Sequence, residues 1–559
     1  MTYRYGAYGF LNESIVKASA TSGTVPVYVG VAPVNLVRGY AAANVVNNPV
    51  KIINYTNAQS LLGYSADWKR HTLCEAMEAH FNNTIGNIGP VYMINVLDPD
   101  IHRTTSTFTH TVSLTFADGK AKLNDGGMID TSTLALDSLV LDTDYSLEKS
   151  NGQIIITDKK STLTTVQASF TATGKLAALT TTNGRVDFLS DAIILDTVSV
   201  FDTDGKALVE DVDYSLNYNF TTGAVIISGA NLPKNINVTY AEVDASKITA
   251  ADIVGAAVDG TYTGIQALKY LYQNHNVVVS YIVAPGYSHL DEVYKAMVTI
   301  MTNLNGHWNN MVFMDLPTVD EDADAPQTIA AAKAWKKEHD FTSERAINPF
   351  WPKAINAQGQ VFHGSVLAAV EQQRIDATHD DVPFETFANK TIPVTGMYFG
   401  KNSKAKAFDQ ELANELTAAG IGTYTYWGGN WVLWGDHTAA YEYGKDIDPR
   451  AIFGVSMRML YYVLNKFQLK WGPVVDKPMD VKLKDRILNE EQESLDALQA
   501  VGALLGEPEV VFLESENSTE ELMQGQFMFN FNTTPTPPAK ALMAGIAYTD
   551  AGFSAYFSE

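Results

Sequence analysis

Cysteine is almost missing from this sequence: Cys74 stands alone among 559 residues. One thiol excludes an intramolecular disulfide and any metal centre built from a cysteine cluster. Positive charge is scarce as well, with 39 lysines and arginines against 63 acids and a formal net charge of −24. So acidic a chain argues against nucleic acid or an anionic membrane surface as partner. No apolar run approaches the ~20 residues of a membrane-spanning helix. The opening stretch MTYRYGAYGFLNES has neither the basic flank nor the apolar core of a secretion signal. The expectation is a chain made in the cytosol and not inserted into a membrane. Catalytic signatures are lacking too. There is no GxxxxGK[ST] for phosphate, no HExxH for zinc and no GxSxG nucleophile elbow. No cofactor, no metal and no catalytic residue are expected.

What is present is a long, moderately apolar chain. Hydrophobic residues make up 46% and charged ones 18%, a globular composition with length for three or more domains. The most concentrated stretch runs over 419–458. Trp427, Trp431 and Trp434 fall within eight residues there, and Gly428-Gly429 separates two β-type runs. That pattern predicts a tight hairpin, read as core. After Asp448-Pro449, Ile452, Val455, Met459, Tyr462 and Val463 recur at helical steps.

From the start, residues 1–24 are rich in Tyr, Gly, Ser and Thr and cannot form a core alone. Residues 25–34 and 91–97 read as buried strands, with helices over 58–63 and 73–81 between them. Buried strands alternating with helices predict an α/β sheet covered on both faces. The texture changes at Asp98-Pro99. Residues 101–244 show almost no helical period, and Asp144-Tyr145-Ser146-Leu147 returns as Asp213-Tyr214-Ser215-Leu216. Each copy precedes a glycine and a β-branched run, which predicts two tandem all-β modules of roughly seventy residues. Helix and strand then alternate again through strands at 277–283, 311–316 and 394–399 and helices near 290–304 and 405–419. The last quarter reads as helical to Gly506, followed by strands at 510–513, 527–531 and 541–548.

Isolated candidates for chemistry have plainer readings. Asp202-Thr203-Asp204-Gly205 has part of a calcium-loop spacing, with Val200 where the first acid belongs and Asp211 last; it reads as a β-turn. His379-Asp380-Asp381 and His339-Asp340 read as loop residues, and Asp320-Glu321-Asp322 with Asp324 as a solvated turn. Ala284-Pro285-Gly286 follows a strand, where α/β enzymes often bind ligands. Cys74 reads as a small buried hydrophobe.

Taken as an ordered series, the chain resembles the contractile tail sheath proteins of phages and tailocins. Residues 424–434 with Trp434-Gly435 resemble the family's Gly/Trp-rich hairpin, with Asp436-His437-Thr438 where arginine-threonine is usual. Residues 448–460 resemble its helix start and keep Arg458 while losing the paired basic residues. Trp471-Gly472-Pro473, residues 502–506, Phe529-Asn530-Phe531 and Pro537-Pro538-Ala539 follow the family's order. So do Tyr5-Gly6, Asn12-Glu13, 25–32, 282–286 and Asp315-Leu316-Pro317. The likeness covers about residues 1–100 and 248–559.

The resemblance implies an α/β (α+β) multidomain fold. It places an N-terminal arm at 1–24, core parts at 25–100 and 245–440, a C-terminal domain at 441–545 and a C-terminal arm at 546–559. The inserted all-β domain at 101–244, divided into modules of about 101–175 and 176–244, lies outside it. The implied function is structural and not enzymatic: a homo-oligomer of stacked rings forming a helical sheath around a tail tube protein. The sheath meets baseplate and terminator proteins in a virion tail and contracts to drive the tube through a cell envelope. Tyr3, Tyr5, Tyr8 and Phe10, and Phe553, Tyr556 and Phe557, are the expected contacts of arms that add strands to a neighbour's sheet. The alternative is an α/β enzyme or carbohydrate-binding protein with appended β-modules, which elutes as a small oligomer rather than a polymer. An extracellular adhesin is a third class, which the missing secretion signal disfavours.

Overall fold

The computed structural model describes residues 20–21, 23–124, 126–150, 153–401 and 408–557. Its centre is a six-stranded sheet. The strand order is Ala346–Phe350, Met311–Asp315, Tyr281–Val283, Pro26–Gly30, Val91–Asn95 and Val50–Ile52. All neighbours run parallel except Val50–Ile52, which lies antiparallel at the edge. Every residue of Pro26–Gly30, Val91–Asn95 and Met311–Asp315 is buried, so both faces are covered, as the apolar runs predict. Leu73–Phe81 packs on Pro26–Gly30, and Gly364–Thr378 packs on three of the strands. Twelve of the fifteen residues of Gly364–Thr378 are buried. A helix with so little free surface has no polar stripe, which is why periodicity does not announce it.

The chain leaves this sheet and returns side by side. Arg103 and Val243 form an antiparallel bridge, and the Thr104 amide donates to the Glu242 carbonyl at 2.9 Å. Between them lie four three-stranded sheets. In residues 107–173, Thr107–Thr115 pairs with Thr165–Thr173, and Gln153–Asp158 lies between Lys120–Asn124 and Tyr145–Ser150. In residues 175–240 the same order recurs: Lys175–Thr180 pairs with Asn235–Tyr240, and Ala224–Ser228 lies between Arg185–Leu189 and Ser215–Asn219. The repeated Asp-Tyr-Ser-Leu has a local cause. Asp144 accepts the Val140 amide and Asp213 the Val209 amide, each at 2.8 Å. In both copies an aspartate two residues earlier has positive φ, Asp142 at 66° and Asp211 at 62°. The carboxylate closes a turn, and the tyrosine after it is buried at the start of a strand. The second half touches the core directly. The Asn35 side-chain amide donates to the Asp191 and Ile193 carbonyls, and Arg38 makes a two-pronged pair with Glu210 at 2.9 and 3.0 Å.

At the C-terminal end, helices Gly454–Trp471 and Val481–Ala500 pack with the two-stranded ribbon Leu504–Val511/Asn530–Pro535. Met459, Val463, Leu495, Leu498, Leu504 and Val510 form their core. Met457 and Tyr461 of the same helix reach the main core, so one helix bridges two clusters.

Several expected elements differ. The helical reading to Gly506 stops at Ala500, and a strand begins at Leu504; Gly502, at φ 82°, turns the chain out of the helix. Of 277–283 only Tyr281–Val283 joins the ladder. Gly396–Tyr398 pairs with Lys353–Ile355 in a small separate sheet. Residues 541–548 form no ladder, and all of them are exposed.

Candidate functional site

The hairpin forms in the expected register, Thr423–Trp427 against Asn430–Trp434 across Gly428-Gly429. Both turn glycines have positive φ, 59° and 90°, which a primed two-residue turn requires. Its base is buried at Thr423, Tyr424, Val432 and Leu433. Its tip is not. Trp427 is 54% exposed and Tyr426 60%, while Trp431 and Trp434 are half-buried. This corrects the reading of all three tryptophans as core. The glycine turn carries the last rung past the elements that cover the base. Trp434 is held by its indole N–H, which donates to Asn414 Oδ1 at 2.9 Å.

Directly after the hairpin, Asp436 and His437 build a socket. Asp436 is buried, accepts the Val455 amide at the start of Gly454–Trp471, and is pushed up to about 7 by burial. His437 Nδ1–H donates to the Ile452 carbonyl at 2.8 Å. Its ring stacks on Tyr441 at 3.6 Å between centroids and on Phe453 at 5.0 Å. With Nδ1 donating, Nε2 is an acceptor, and it receives Lys540 Nζ. Burial holds His437 down to about 4, so this acceptor stays unprotonated at neutral pH. Lys540 also lies over the Tyr441 ring at 5.0 Å. A cavity of about 220 Å³ opens here, lined by Trp434, Phe453, Pro538 and Lys540 among others. No sequence signal marks His437 and Lys540 as partners, since 103 residues separate them.

Beyond this clamp the chain is uncovered. Every residue from 541 to 557 is exposed, among them Leu542, Met543, Ile546, Tyr548, Phe553, Tyr556 and Phe557. The last three lie in or next to a short 3-10 turn, Ala551–Tyr556, rather than in the expected strand. So much unpaired apolar side chain on one segment marks an interaction surface. Tyr3, Tyr5, Tyr8 and Phe10 lie outside the described residues.

Chemistry-bearing residues elsewhere are tied into the core. Asp320-Glu321-Asp322 is not a solvated turn: Glu321 contacts Lys353 Nζ at 2.6 Å and His363 Nε2 at 2.8 Å. The other ring nitrogen of His363 meets Glu75 Oε2 at 2.7 Å. Burial alone would lower His363, but the two flanking carboxylates raise it to about 10. Beside it Asp315, pushed up to about 6 by burial, accepts the Ser365 amide and hydroxyl. His339 pairs with Asp291 and stacks on Trp335, and His379 pairs with Glu385, so neither uses its sequence neighbour. Asp202 accepts the Asp204 and Lys206 amides, each at 2.9 Å, as a turn aspartate does. Cys74 is fully buried, and burial pushes its thiol up to about 12.

The chain is similar to contractile tail sheath proteins. Among curated proteins, the tail sheath protein of Burkholderia phage BcepMu is 24% identical over 371 residues, which is 61% of this chain and 71% of that one. Among solved structures, the sheath complex of a PVC extracellular contractile injection system, in its contracted state, aligns with 99% of each chain at a TM-score of 0.49 and 11% identity. The contracted helical sheath of the anti-feeding prophage gives a TM-score of 0.48 and 13% identity, over 98% of this chain and 100% of that one. The sheath tail protein of Desulfitobacterium hafniense gives 0.43 and 11%, over 95% and 100%. No family model matches, and no described helix is long and apolar enough to cross a membrane.

Proposed function

We propose that this chain is the structural subunit of a contractile tail sheath. It polymerises as stacked rings around a tail tube and contracts to drive the tube through a target envelope. The observation that carries the reading is the tail at 541–557, whose apolar side chains have no cover in the subunit that bears them. Burying each large apolar side chain is worth about 1.5–3 kcal/mol, so a neighbour that covers the tail gains affinity from several at once. The ribbon Leu504–Val511/Asn530–Pro535 has only two strands. Each therefore leaves an edge without a ladder partner among the described residues, where an extended arm could add a strand. Residues 1–24 serve as the second arm, with Tyr3, Tyr5, Tyr8 and Phe10 as its contacts.

In this reading 25–100 and 245–440 are the core, 441–545 the C-terminal domain and 101–244 an inserted pair of all-β modules. The side-by-side departure and return of the chain at Arg103 and Val243 supports an insertion. The subunit needs no catalytic centre: a lattice held in a metastable extended arrangement can release its energy on contraction without a nucleotide. Its partners are further copies, a tube protein, a baseplate and a tail terminator, and its place is the virion tail.

The test is truncation. Ending the chain at residue 545, or starting it at 20 so that the Ala20–Thr21 pairing with Ile88–Gly89 and the Thr24 bond to Asp376 are kept, should leave thermal melting and circular dichroism of the monomer nearly unchanged. Both variants should fail to form tubes in negative-stain images. Normal tubes from a chain lacking both arms would overturn the mechanism.

A further inference from the structure

The exposed tail at 541–557 does not start from a loose end. Residues 536–540 cross from the C-terminal ribbon to the central sheet and are fixed at both ends. At one end the Thr536 amide donates to the Ala503 carbonyl at 3.1 Å and its hydroxyl to the Gly502 carbonyl at 2.6 Å. Both carbonyls belong to the turn between Val481–Ala500 and Leu504–Val511. At the other end Lys540 Nζ donates to His437 Nε2 and lies over the Tyr441 ring. His437 is firmly seated: it is 2% exposed, and its carbonyl accepts the Asn348 amide at 3.1 Å. Its neighbour Thr438 bridges Ile347 of the edge strand Ala346–Phe350. Between the two anchors stand Pro537, Pro538 and Ala539. The 220 Å³ cavity lies against Pro538 and Ala539, so the body does not pack this stretch closely on that side. Its stiffness comes from the prolines, whose rings fix φ at about −65° and hold the residue before each of them extended.

A chain held only at Thr536 would let the tail sweep a wide arc. With the second anchor at Lys540, the last residue before the exposed stretch, the tail leaves the subunit from one place and in one direction. Ordering a flexible segment on a partner loses conformational entropy, and a root that is already fixed lessens that loss. We propose that residues 536–540 form a rigid strap that aims the tail at a second copy of this chain, with Lys540 and His437 as positioning residues. Which partner the tail meets rests on the sheath reading; the fixed root does not. The Pro537-Pro538 pair acquires a role here: a flexible spacer would weaken the Lys540 anchor, because more conformers compete with the clamped one.

The strap is read first with a nitroxide label on full-length Leu542→Cys, a position just past the anchor and 90% exposed. Cys74 is fully buried and stays unlabelled in the native protein. Lys540→Met keeps the stem and loses the donor, and His437→Phe keeps a ring between Tyr441 and Phe453 and loses the acceptor. Each should raise the label's mobility, and the double variant should raise it no further than either alone, as partners in one contact require. Lys540→Arg, which keeps a donor, should resemble the wild type. Replacing Pro537 and Pro538 together by glycine should raise mobility as well. Should His437→Phe fail to fold, Lys540→Met decides, since Lys540 is itself an exposed residue. Mobility unchanged by Lys540→Met, or by the loss of both prolines, overturns the strap. Its use in assembly is read from the lowest concentration at which unlabelled protein forms tubes. Lys540→Met should raise that concentration at least about threefold with the urea midpoint unchanged, and Lys540→Arg should restore it. A mobile label with an unchanged assembly concentration overturns the positioning role. If the wild type forms no tubes, the sheath reading fails and the label alone decides the strap.

Discussion

The environment of His363 takes it far from its chemistry in water. It lies buried between Glu75 and Glu321, with Lys353, His289 and Asp315 close by, and its folded value stands near 10 rather than 6.5. A base held above its unfolded value contributes stability that is complete below about pH 6.5 and lost as pH rises through 10. The His363→Gln variant should therefore be less stable than the wild type at pH 6.5, and the gap should narrow steadily towards pH 10. Urea unfolding at a series of pH values measures it, and a constant gap would show that His363 is not charged in the fold. Cys74 gives a simpler test. A fully buried thiol pushed up to about 12 holds little thiolate at pH 8, so iodoacetamide should label it in urea and not in the native protein. Its burial follows from its place on an apolar helical face. That of Glu321 does not, because an acid among acids reads as solvated until the fold brings Lys353 and His363 to it.

At the scale of the element, the Gly364–Thr378 helix shows how closely the core is fitted. A Cβ on Gly364 would stand 2.3 Å from Phe350 Cβ and 2.6 Å from Tyr424 Oη. Gly364→Ala should cost about 1–3 kcal/mol, the range of an overpacked core, and lower the urea midpoint without changing the slope. Gly364 is the first residue of its helix and alanine is in general the better helix former, so a stabilised variant would mean that the helix does not sit this close to Ala346–Phe350. The 423–434 hairpin behaves differently at its two ends. Its register was legible, because two glycines between aromatic and β-branched runs specify the turn. Which tryptophans it buries was not, since burial depends on where the neighbouring elements end.

For the whole molecule, residues 101–244 offer the clearest division. Their departure and return are bridged at Arg103 and Val243, so a short Gly/Ser linker can replace them without stretching the core. The shortened protein should fold and still form tubes, measured by circular dichroism and negative stain. A folded shortened protein that stays monomeric would place these residues in the lattice. The ion pair of Arg38 with Glu210 and the hydrogen bonds of Asn35 at Asp191 and Ile193 make some loss of stability expected, since both lie on the face that the linker uncovers.

The sequence alone determined what is local or periodic. The buried strands at 26–30 and 91–95 follow from near-continuous apolar runs, the 73–81 helix from its apolar spacing, and the Asp-Tyr-Ser-Leu turns from a carboxylate that bonds an amide within its own turn. Phe553, Tyr556 and Phe557, expected from the family resemblance as arm contacts, are all exposed. Only the tertiary structure decided the rest: the socket that joins His437 to Lys540 and the charge cluster of Glu75, Glu321, Lys353 and His363. These are contacts between residues far apart in the chain. Each side chain alone is compatible with solvent, and only a shared low-dielectric interior makes its partner matter.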